Sequence, residues 1–217
     1  MQRFARWFAL GGATFALAVG GCGGGGAGVV TECGLDVHVP NYAREVSRLF
    51  VWPAFPVSVH FIRDAQLTPA RRSAAITGFD RWTAAIGPRV SYVEIDEPSG
   101  ADITVRFVDD TPDGRARLTF SGLTMLRARI DLGTEGLDYH SISCVSAHEF
   151  GHALGIYGHS ATRGDLMYPV YTIGHPCGVT ERDANTLRTG YCDLFTRGTV
   201  RARAAPPGAP VQTVTID

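Results

Sequence analysis

The segment Ala147–Ser160 places three histidines and one glutamate, side chains that bind metals and move protons, within fourteen residues. His148 and His152 lie four positions apart, so on an α-helix their imidazoles project from the same face, one turn from each other. Two imidazoles arranged in this way can bind one zinc ion. Glu149, about 100° further around the helix, borders the open side of that ion, where a general base is needed. His-Glu-x-x-His on a helix therefore predicts a zinc hydrolase.

A catalytic zinc ion takes three protein ligands and keeps one position for water, and the same helical turn cannot supply the third ligand. Gly155 can adopt the positive φ with which a chain leaves a helix sharply, and His159 follows four residues later. Asp165 is a competing ligand, because a carboxylate can also bind zinc. It lies ten residues past Gly155, however, and imidazole matches the other two ligands. The sequence therefore predicts His159 as the third ligand.

The motif resembles that of the metzincin zinc metalloproteases, His-Glu-x-x-His-x-x-Gly-x-x-His followed by a methionine turn. "HEFGHALG" and the later "DLMYP" are most similar to the matrixin branch. Gly158 stands where the family has its third histidine, and we interpret the late His159 as a one-residue expansion of the turn. The resemblance implies one catalytic Zn²⁺ with three histidine ligands, a glutamate base and a methionine beneath the metal, here His148, His152, His159, Glu149 and Met167.

The elements that must position these residues follow from local patterns. A β-branched and aromatic strand pattern at 55–62 precedes helix start and stop signals at 68–87, and several strand patterns follow up to residue 133. The motif helix is expected at about 143–155. We predict an α+β, metzincin-like fold, in which a twisted mixed sheet packs on an N-terminal helix and the active-site helix. A small C-terminal subdomain would hold the methionine turn and a final helix. The resemblance also implies that substrate pairs with an edge strand within 118–130.

The N-terminus has the plan of a bacterial lipoprotein signal peptide. Arginines precede an apolar run over residues 7–19, which is shorter than the ~20 residues of a membrane-spanning helix. "VGGC" resembles a lipobox that ends in Cys22, the predicted lipidation site. The alternative is a secreted protein in which Cys22 is incidental. The predicted organisation is a signal peptide at 1–22, a glycine-rich tether at 23–33, a catalytic domain at 34–195 and a disordered tail at 196–217.

Four further cysteines, an even number in an exported chain, predict two disulfides; they are Cys33, Cys144, Cys177 and Cys192. Cys177 and Cys192 flank a predicted helix about 15 Å long, whereas bonded cysteines have Cα atoms about 5.5 Å apart. We therefore disfavour that pairing, and the other pairings stay open. "ECGLD", around Cys33, faintly resembles the switch motif of matrixin propeptides, but we favour a disulfide there.

Composition limits the partners. The chain is 45% hydrophobic with a formal net charge of −1, so a globular core is expected and no basic surplus exists to neutralise nucleic acid. We predict a monomeric, exported zinc metalloendopeptidase of the cell envelope, acting on protein or peptide substrates and touching the membrane only through its lipid anchor. Two alternatives stay open: a catalytically silent binding module on the same fold, and a zinc amidase with a non-peptide substrate. The intact Glu149 argues against the silent module.

Overall fold

The computed structural model describes residues 36–37, 49–171, 174, 176–200 and 207–216. The α-helices in this part of the chain are α1 (Pro69–Ile86), α2 (Tyr139–Ala153), α3 (Glu181–Gly190) and α4 (Cys192–Arg197). The strands are β1 (Val57–Phe61), β2 (Tyr92–Glu94), β3 (Ile103–Val108), β4 (Gly114–Ser121), β5 (Thr124–Gly133) and β6 (Val211–Ile216). The predicted α+β fold is confirmed.

The strands form one mixed sheet in the order β2-β1-β3-β5-β4-β6. Neighbours from β2 to β5 run parallel, whereas β4 runs antiparallel to both β5 and β6. Side chains of β3 alternate between buried and half-buried, as expected for a sheet with one face against helices. The buried face meets α2, which contacts both β4 and β5. The antiparallel end of the sheet therefore lies next to the motif helix.

Helix α1 begins where the sequence predicts. The Thr68 side chain accepts from the backbone N–H of Arg71, and Pro69 occupies the first turn, where its missing N–H costs nothing. Its buried stripe faces α2, where the Phe79 ring stacks on Phe150 with centroids 4.1 Å apart. Trp82 donates from Nε1 to the Ala147 carbonyl at 2.7 Å. These contacts with α1 fix the position of α2 along its axis and the direction in which each of its faces points.

Helix α2 begins at Tyr139, four residues before the predicted start at 143. Asp138 is the N-cap, and its carboxylate accepts from the Ser141 N–H at 2.8 Å. The serines of the first turn are poor helix formers by propensity, which is why the sequence pattern placed the start too late. They are buried in the folded chain, so packing overrides their propensity.

The predicted disordered tail at 196–217 is wrong for residues 211–216, which form strand β6. Val214 and Ile216 alternate with threonines, a period-two pattern of β-forming residues that the sequence analysis overlooked beside the neighbouring prolines. Pairing with β4 sets Ile216 opposite Ala116 and Val211 opposite Ser121. The sheet therefore ends on β6, and β4 is an inner strand over that length.

One disulfide joins Cys144 of α2 to Cys177, with Cα atoms 5.3 Å apart. This bond excludes the Cys177–Cys192 pairing, as the sequence analysis expected, and Cys192 is itself disulfide-bonded. Cys33 lies outside the described residues, as do Cys22 and the predicted signal peptide. Within the described ranges, every helix is too short or too polar to cross a bilayer.

Candidate metal centre

The three predicted zinc ligands meet at one point. Nε2 of His152 lies 3.2 Å from Nε2 of His148 and 3.2 Å from Nε2 of His159. The ligand atoms of all three lie within 4.8 Å of one another. His152 is fully buried, whereas the other two rings are half-buried. The histidine cluster therefore packs against the core through His152, and its other side, at His148 and His159, is accessible to solvent.

Backbone carbonyls set the tautomers of the two helical histidines. Nδ1 of His148 lies 2.8 Å from the Leu166 oxygen, and Nδ1 of His152 lies 2.7 Å from the Ile156 oxygen. A carbonyl oxygen only accepts, so each Nδ1 carries the proton and each Nε2 presents a lone pair. A hydrogen bond from Nδ1 to a carbonyl oxygen also fixes the orientation of an imidazole ring whose Nε2 binds a metal.

Two lone pairs that face each other at 3.2 Å repel unless a cation lies between them. Nitrogen ligands about 2.05 Å from a tetrahedral zinc ion are about 3.3 Å apart, close to the 3.2 Å separations of the Nε2 atoms here. The three histidines therefore fit a zinc ion in donor type, and the spacing of both printed pairs and the tautomers of His148 and His152 agree with it.

The chain leaves α2 through Gly155, at a φ of 112°. Its N–H donates to the His152 carbonyl at 2.8 Å, and a Cβ at this position would overlap the carbonyl of Phe50. Only glycine fits both conditions. The following segment is fastened where the Ser160 N–H donates to the Met167 carbonyl at 2.7 Å. These two points determine how His159 returns towards the helix.

Met167 is fully buried against α2. A Cβ on Gly151, the residue before His152, would lie only 2.5 Å from the Met167 sulfur, so the glycine allows the methionine to touch the helix backbone. The preceding residue, Leu166, supplies the carbonyl that orients His148. The methionine segment is thus part of the support of the histidine cluster.

Asp165 bonds to residues of the turn that follows the histidines and of the start of α3. Its carboxylate accepts from the hydroxyl groups of Ser160 and Thr180 and forms an ion pair with Arg182, whose Nε lies 3.2 Å away. The metal-competent group found around His152 in the described part of the chain contains three histidines and no carboxylate. We therefore expect Asp165 to stabilise the turn between His159 and Met167 rather than to bind the metal.

Asp183 is a supporting residue that the sequence analysis missed. It is completely buried and accepts from the backbone N–H groups of Leu166, Met167 and Thr180 at 2.8, 3.2 and 2.8 Å. The available signal was Thr180-x-x-Asp183, a capping box at the start of α3. One carboxylate thus caps a helix and fixes the methionine segment.

Glu149 is buried, with 3% of its surface exposed, and borders a cleft of about 480 Å³. His148 and Tyr168 line the same cleft, and the first residue of β4, Gly114, lies directly against the glutamate side chain. Gly114 cannot be identified from the sequence, because only the tertiary fold brings it to the helix. The cleft places a carboxylate, the histidine cluster and the start of a strand together.

A second group of possible metal ligands lies at the start of α2, where His140 approaches the sulfur atoms of Cys144 and Cys177. Its Nε2 is 3.5 Å from the Cys144 sulfur. Both sulfurs are joined in the disulfide and cannot act as thiolate ligands in this state.

Comparison with known proteins agrees with this arrangement. The sequence profile of the matrixin family matches residues 132–192, which contain the histidines and the methionine segment. A hatching enzyme of Paracentrotus lividus is 33% identical over 109 residues, covering 43% of this chain and 17% of the relative. Matrix metalloproteinase-20 of Homo sapiens is 29% identical over 167 residues, covering 68% and 32%. The chain thus spans less than a third of the length of these relatives. The predicted resemblance to matrixins is confirmed, and the α+β fold agrees with it.

Proposed function

We propose that this matrixin-like chain is a zinc-dependent metalloendopeptidase. The observation that carries the proposal is the convergence of three imidazole Nε2 atoms, two of them with their tautomers fixed by carbonyl oxygens, beside a buried glutamate in an open cleft. This combination is what metal-assisted amide hydrolysis requires. The relatives' names, a hatching enzyme and a matrix metalloproteinase, favour protein substrates.

His148, His152 and His159 would hold the zinc ion. When bound there, the ion would supply Lewis-acid chemistry that polarises the scissile carbonyl and acidifies a water molecule. His148 and His152 keep their lone pairs directed inward through the bonds from Nδ1 to Leu166 and Ile156. Met167 would support the cluster from below through its contact at Gly151.

Glu149 would act as the general base and then as the general acid. Its carboxylate would accept a proton from the attacking water and deliver it to the leaving nitrogen, a role that needs one group within reach of both atoms. Its burial keeps bulk water from competing for that proton. The alternative of a catalytically silent module is disfavoured, because burial of a carboxylate costs free energy and a site without catalytic demand has no reason to keep one beside the histidines.

The direct test is hydrolysis of a diverse peptide library with and without a chelator, with product sequencing. Glu149→Gln should lower the rate by a factor of about 10² or more, while zinc stays near one per chain. The matched control is Glu181→Gln, which changes an exposed glutamate on α3 and should behave as the parent. Cleavage of non-peptide amides alone would favour the zinc amidase, and full turnover by Glu149→Gln would remove the proposed base.

The same proposal includes the cell-envelope context. The chain would be exported, anchored through acylated Cys22 or else secreted, and active as a monomer. The arginine-led apolar run and "VGGC" support the anchor. A disulfide on the motif helix suits an oxidising compartment outside the cytoplasm.

A further inference from the structure

One face of the sheet carries a concentration of arginines. The charged residues of β3, β4 and β5 are five arginines and one aspartate, and each is followed in its strand by a buried residue of the core. Because successive side chains of a strand point to opposite faces, all six project from the face opposite the core. Three of the arginines are exposed and two are half-buried. We call this surface the arginine face, and it consists of Arg106, Arg115, Arg117, Arg127 and Arg129.

The charge of this face contrasts with that of the whole chain. Five arginines against one aspartate leave a local surplus of positive charge, whereas the chain has a formal net charge of −1. The remainder of the chain is therefore acidic. A large polyanion, such as nucleic acid or an anionic membrane, would also meet that acidic remainder and be repelled by it. A short anionic segment is the better match for the face.

Arg117 and Arg129 stand directly opposite each other on β4 and β5. Like charges at directly opposed positions destabilise a sheet. Arg127 lies two residues from Arg129 on the same face, so a third guanidinium adds to the repulsion. Folding gains nothing from this arrangement. A carboxylate bound between the opposed guanidiniums, however, would replace the repulsion by charge-assisted hydrogen bonds.

Asp131 compensates part of the charge at one end of the arginine face. Its carboxylate lies 3.3 Å from Nε of Arg106 and 3.0 Å from Nε of Arg129. Arg117 instead donates from Nε to a neutral partner, the Thr215 hydroxyl, at 3.4 Å. The positive surplus is therefore greatest away from Asp131, towards Arg117 and Arg127.

The end of the arginine face at Asp131 adjoins the candidate catalytic cleft. Arg106 and Asp131 line that cleft together with Glu149 and His148. From Asp131 to Arg127 the strand advances by four residues, which is about 13 Å. An extended polypeptide covers that distance with about four residues. A peptide held in the cleft can therefore continue over the arginine face.

We propose that the arginine face binds an acidic segment of the peptide substrate, next to the part of the substrate that enters the cleft. Aspartate or glutamate side chains of that segment pair with the guanidiniums of Arg117, Arg127 and Arg129, whose planar forks match a carboxylate. The inference rests on the proposed function, because it names the class of substrate that the cleft receives. The binding of the acidic segment itself requires neither zinc nor hydrolysis.

The first experiment measures binding apart from catalysis. The probe is labelled hexaglutamate, with hexaglutamine as the neutral reference, titrated against the full chain carrying Glu149→Gln. Hexaglutamate should bind at least about tenfold more tightly at about 50 mM salt, and the difference should close at about 500 mM, because salt screens exposed ion pairs. Equal affinities of the two peptides at the lower salt concentration overturn the inference.

A pair of charge reversals locates the bound peptide. Arg127→Glu changes the end of the arginine face that is farthest from the cleft, and it should weaken hexaglutamate binding at least about tenfold. The matched control is Arg63→Glu, an arginine just after β1 whose side chain is 72% exposed, and it should bind as the parent does. Unchanged affinity in Arg127→Glu would assign the peptide to the metal site. An equal loss in both variants would be a general effect of charge, and either result refutes the proposal.

Arg117→Glu separates binding from folding. It replaces the like-charge pair with Arg129 by a pair of opposite charges, so the melting temperature should stay at the parent value or rise. Affinity for hexaglutamate should nevertheless fall at least about tenfold. Retained affinity refutes the proposal, and a loss of affinity with a lower melting temperature would make Arg117 a structural residue and refute it too. Tighter binding of a short oligonucleotide or of phosphatidylserine vesicles than of hexaglutamate would assign the face to another class of partner.

Activity separates the two proposals. Two peptides share one cleavable sequence and differ only in a run of glutamates or of glutamines, which is placed on either side of the scissile bond in turn. With Glu149 intact, kcat/KM should be at least about tenfold higher for the acidic peptide, mainly through KM, and Arg127→Glu should remove this preference. If no peptide is hydrolysed but hexaglutamate binding still depends on Arg127, the proposed function fails and the inference stands. If the parent hydrolyses both peptides with equal kcat/KM, the inference fails alone.

Discussion

Gly114 of β4 lies against the side chain of Glu149 on α2, so closely that a methyl group at position 114 would stand 2.5 Å from Glu149 Oε1. Real carbon atoms do not approach an oxygen so closely without a bond. The absence of a side chain at Gly114 therefore lets the strand bring its backbone alongside the carboxylate. The orientation of Glu149 depends on a residue thirty-five positions earlier in the chain.

Gly114→Ala should lower kcat by roughly 10- to 100-fold, because the added methyl group must displace the carboxylate from its position. Zinc content should stay at the parent value, since none of the histidines is touched. Gly100→Ala is the control, as its methyl group would meet only the Ile95 side chain at 3.8 Å. Steady-state kinetics and metal analysis on both variants check the prediction, and unchanged kcat in Gly114→Ala would contradict it.

His159→Ala should lower zinc affinity sharply and abolish hydrolysis, because it removes one of three converging Nε2 atoms. Asp165→Ala should keep the metal and instead reduce the free energy of unfolding by about 1–3 kcal/mol, since partners such as Ser160 and Thr180 lose a buried acceptor. Zinc stoichiometry after dialysis, with urea unfolding, measures both effects. Metal kept by His159→Ala and lost by Asp165→Ala would reverse the ligand assignment.

The N-cap of α2 predicts a pH dependence of stability. Hydrogen bonds from Ser141 hold the pKa of the Asp138 carboxyl below its usual value. The ionised cap therefore stabilises the fold at pH values above the usual carboxyl pKa of about 4, and this contribution is lost as the pH falls through the lower pKa of the folded state. Asp138→Asn keeps a capping oxygen without the charge.

Thermal melts of the parent and Asp138→Asn from pH 7 down to pH 2 should show a difference that is constant at neutral pH. The parent's advantage should shrink only below about pH 4. A difference that grows as the pH falls would mean that the charge of Asp138 destabilises the folded chain.

Cys22→Ser should move the protein from the membrane to the soluble fraction or leave the signal peptide uncleaved. The reason is that each buried acyl methylene contributes about 0.8 kcal/mol to membrane attachment. Fractionation and N-terminal analysis of the processed chain make the measurement. Membrane association and processing equal to the parent's would rule out the lipid anchor.

The sequence predicts the parts of the site that depend on local periodicity. The spacing of His148 and His152 determines a shared helix face, and Gly155 determines where the helix ends. Gly114 could not be predicted in this way, because its contact with Glu149 depends on how a strand packs across a helix. Strand β6 differs, since its alternating valine, threonine and isoleucine residues are a strand pattern in the sequence itself, and only its pairing partner, about a hundred residues earlier, required the tertiary structure.

The carboxylate of Asp183 has a consequence for moving this site to another protein. It receives the backbone amides of Leu166 and Met167 while it caps α3, so the last turn before Met167 is held from outside the histidine motif. A graft of residues 148–159 onto a foreign helix would transfer every ligand but lose the Leu166 carbonyl that orients His148. A graft that keeps these supports has to extend from Asp138 to the end of α3. That segment has about fifty residues, whereas the ligand segment 148–159 has twelve.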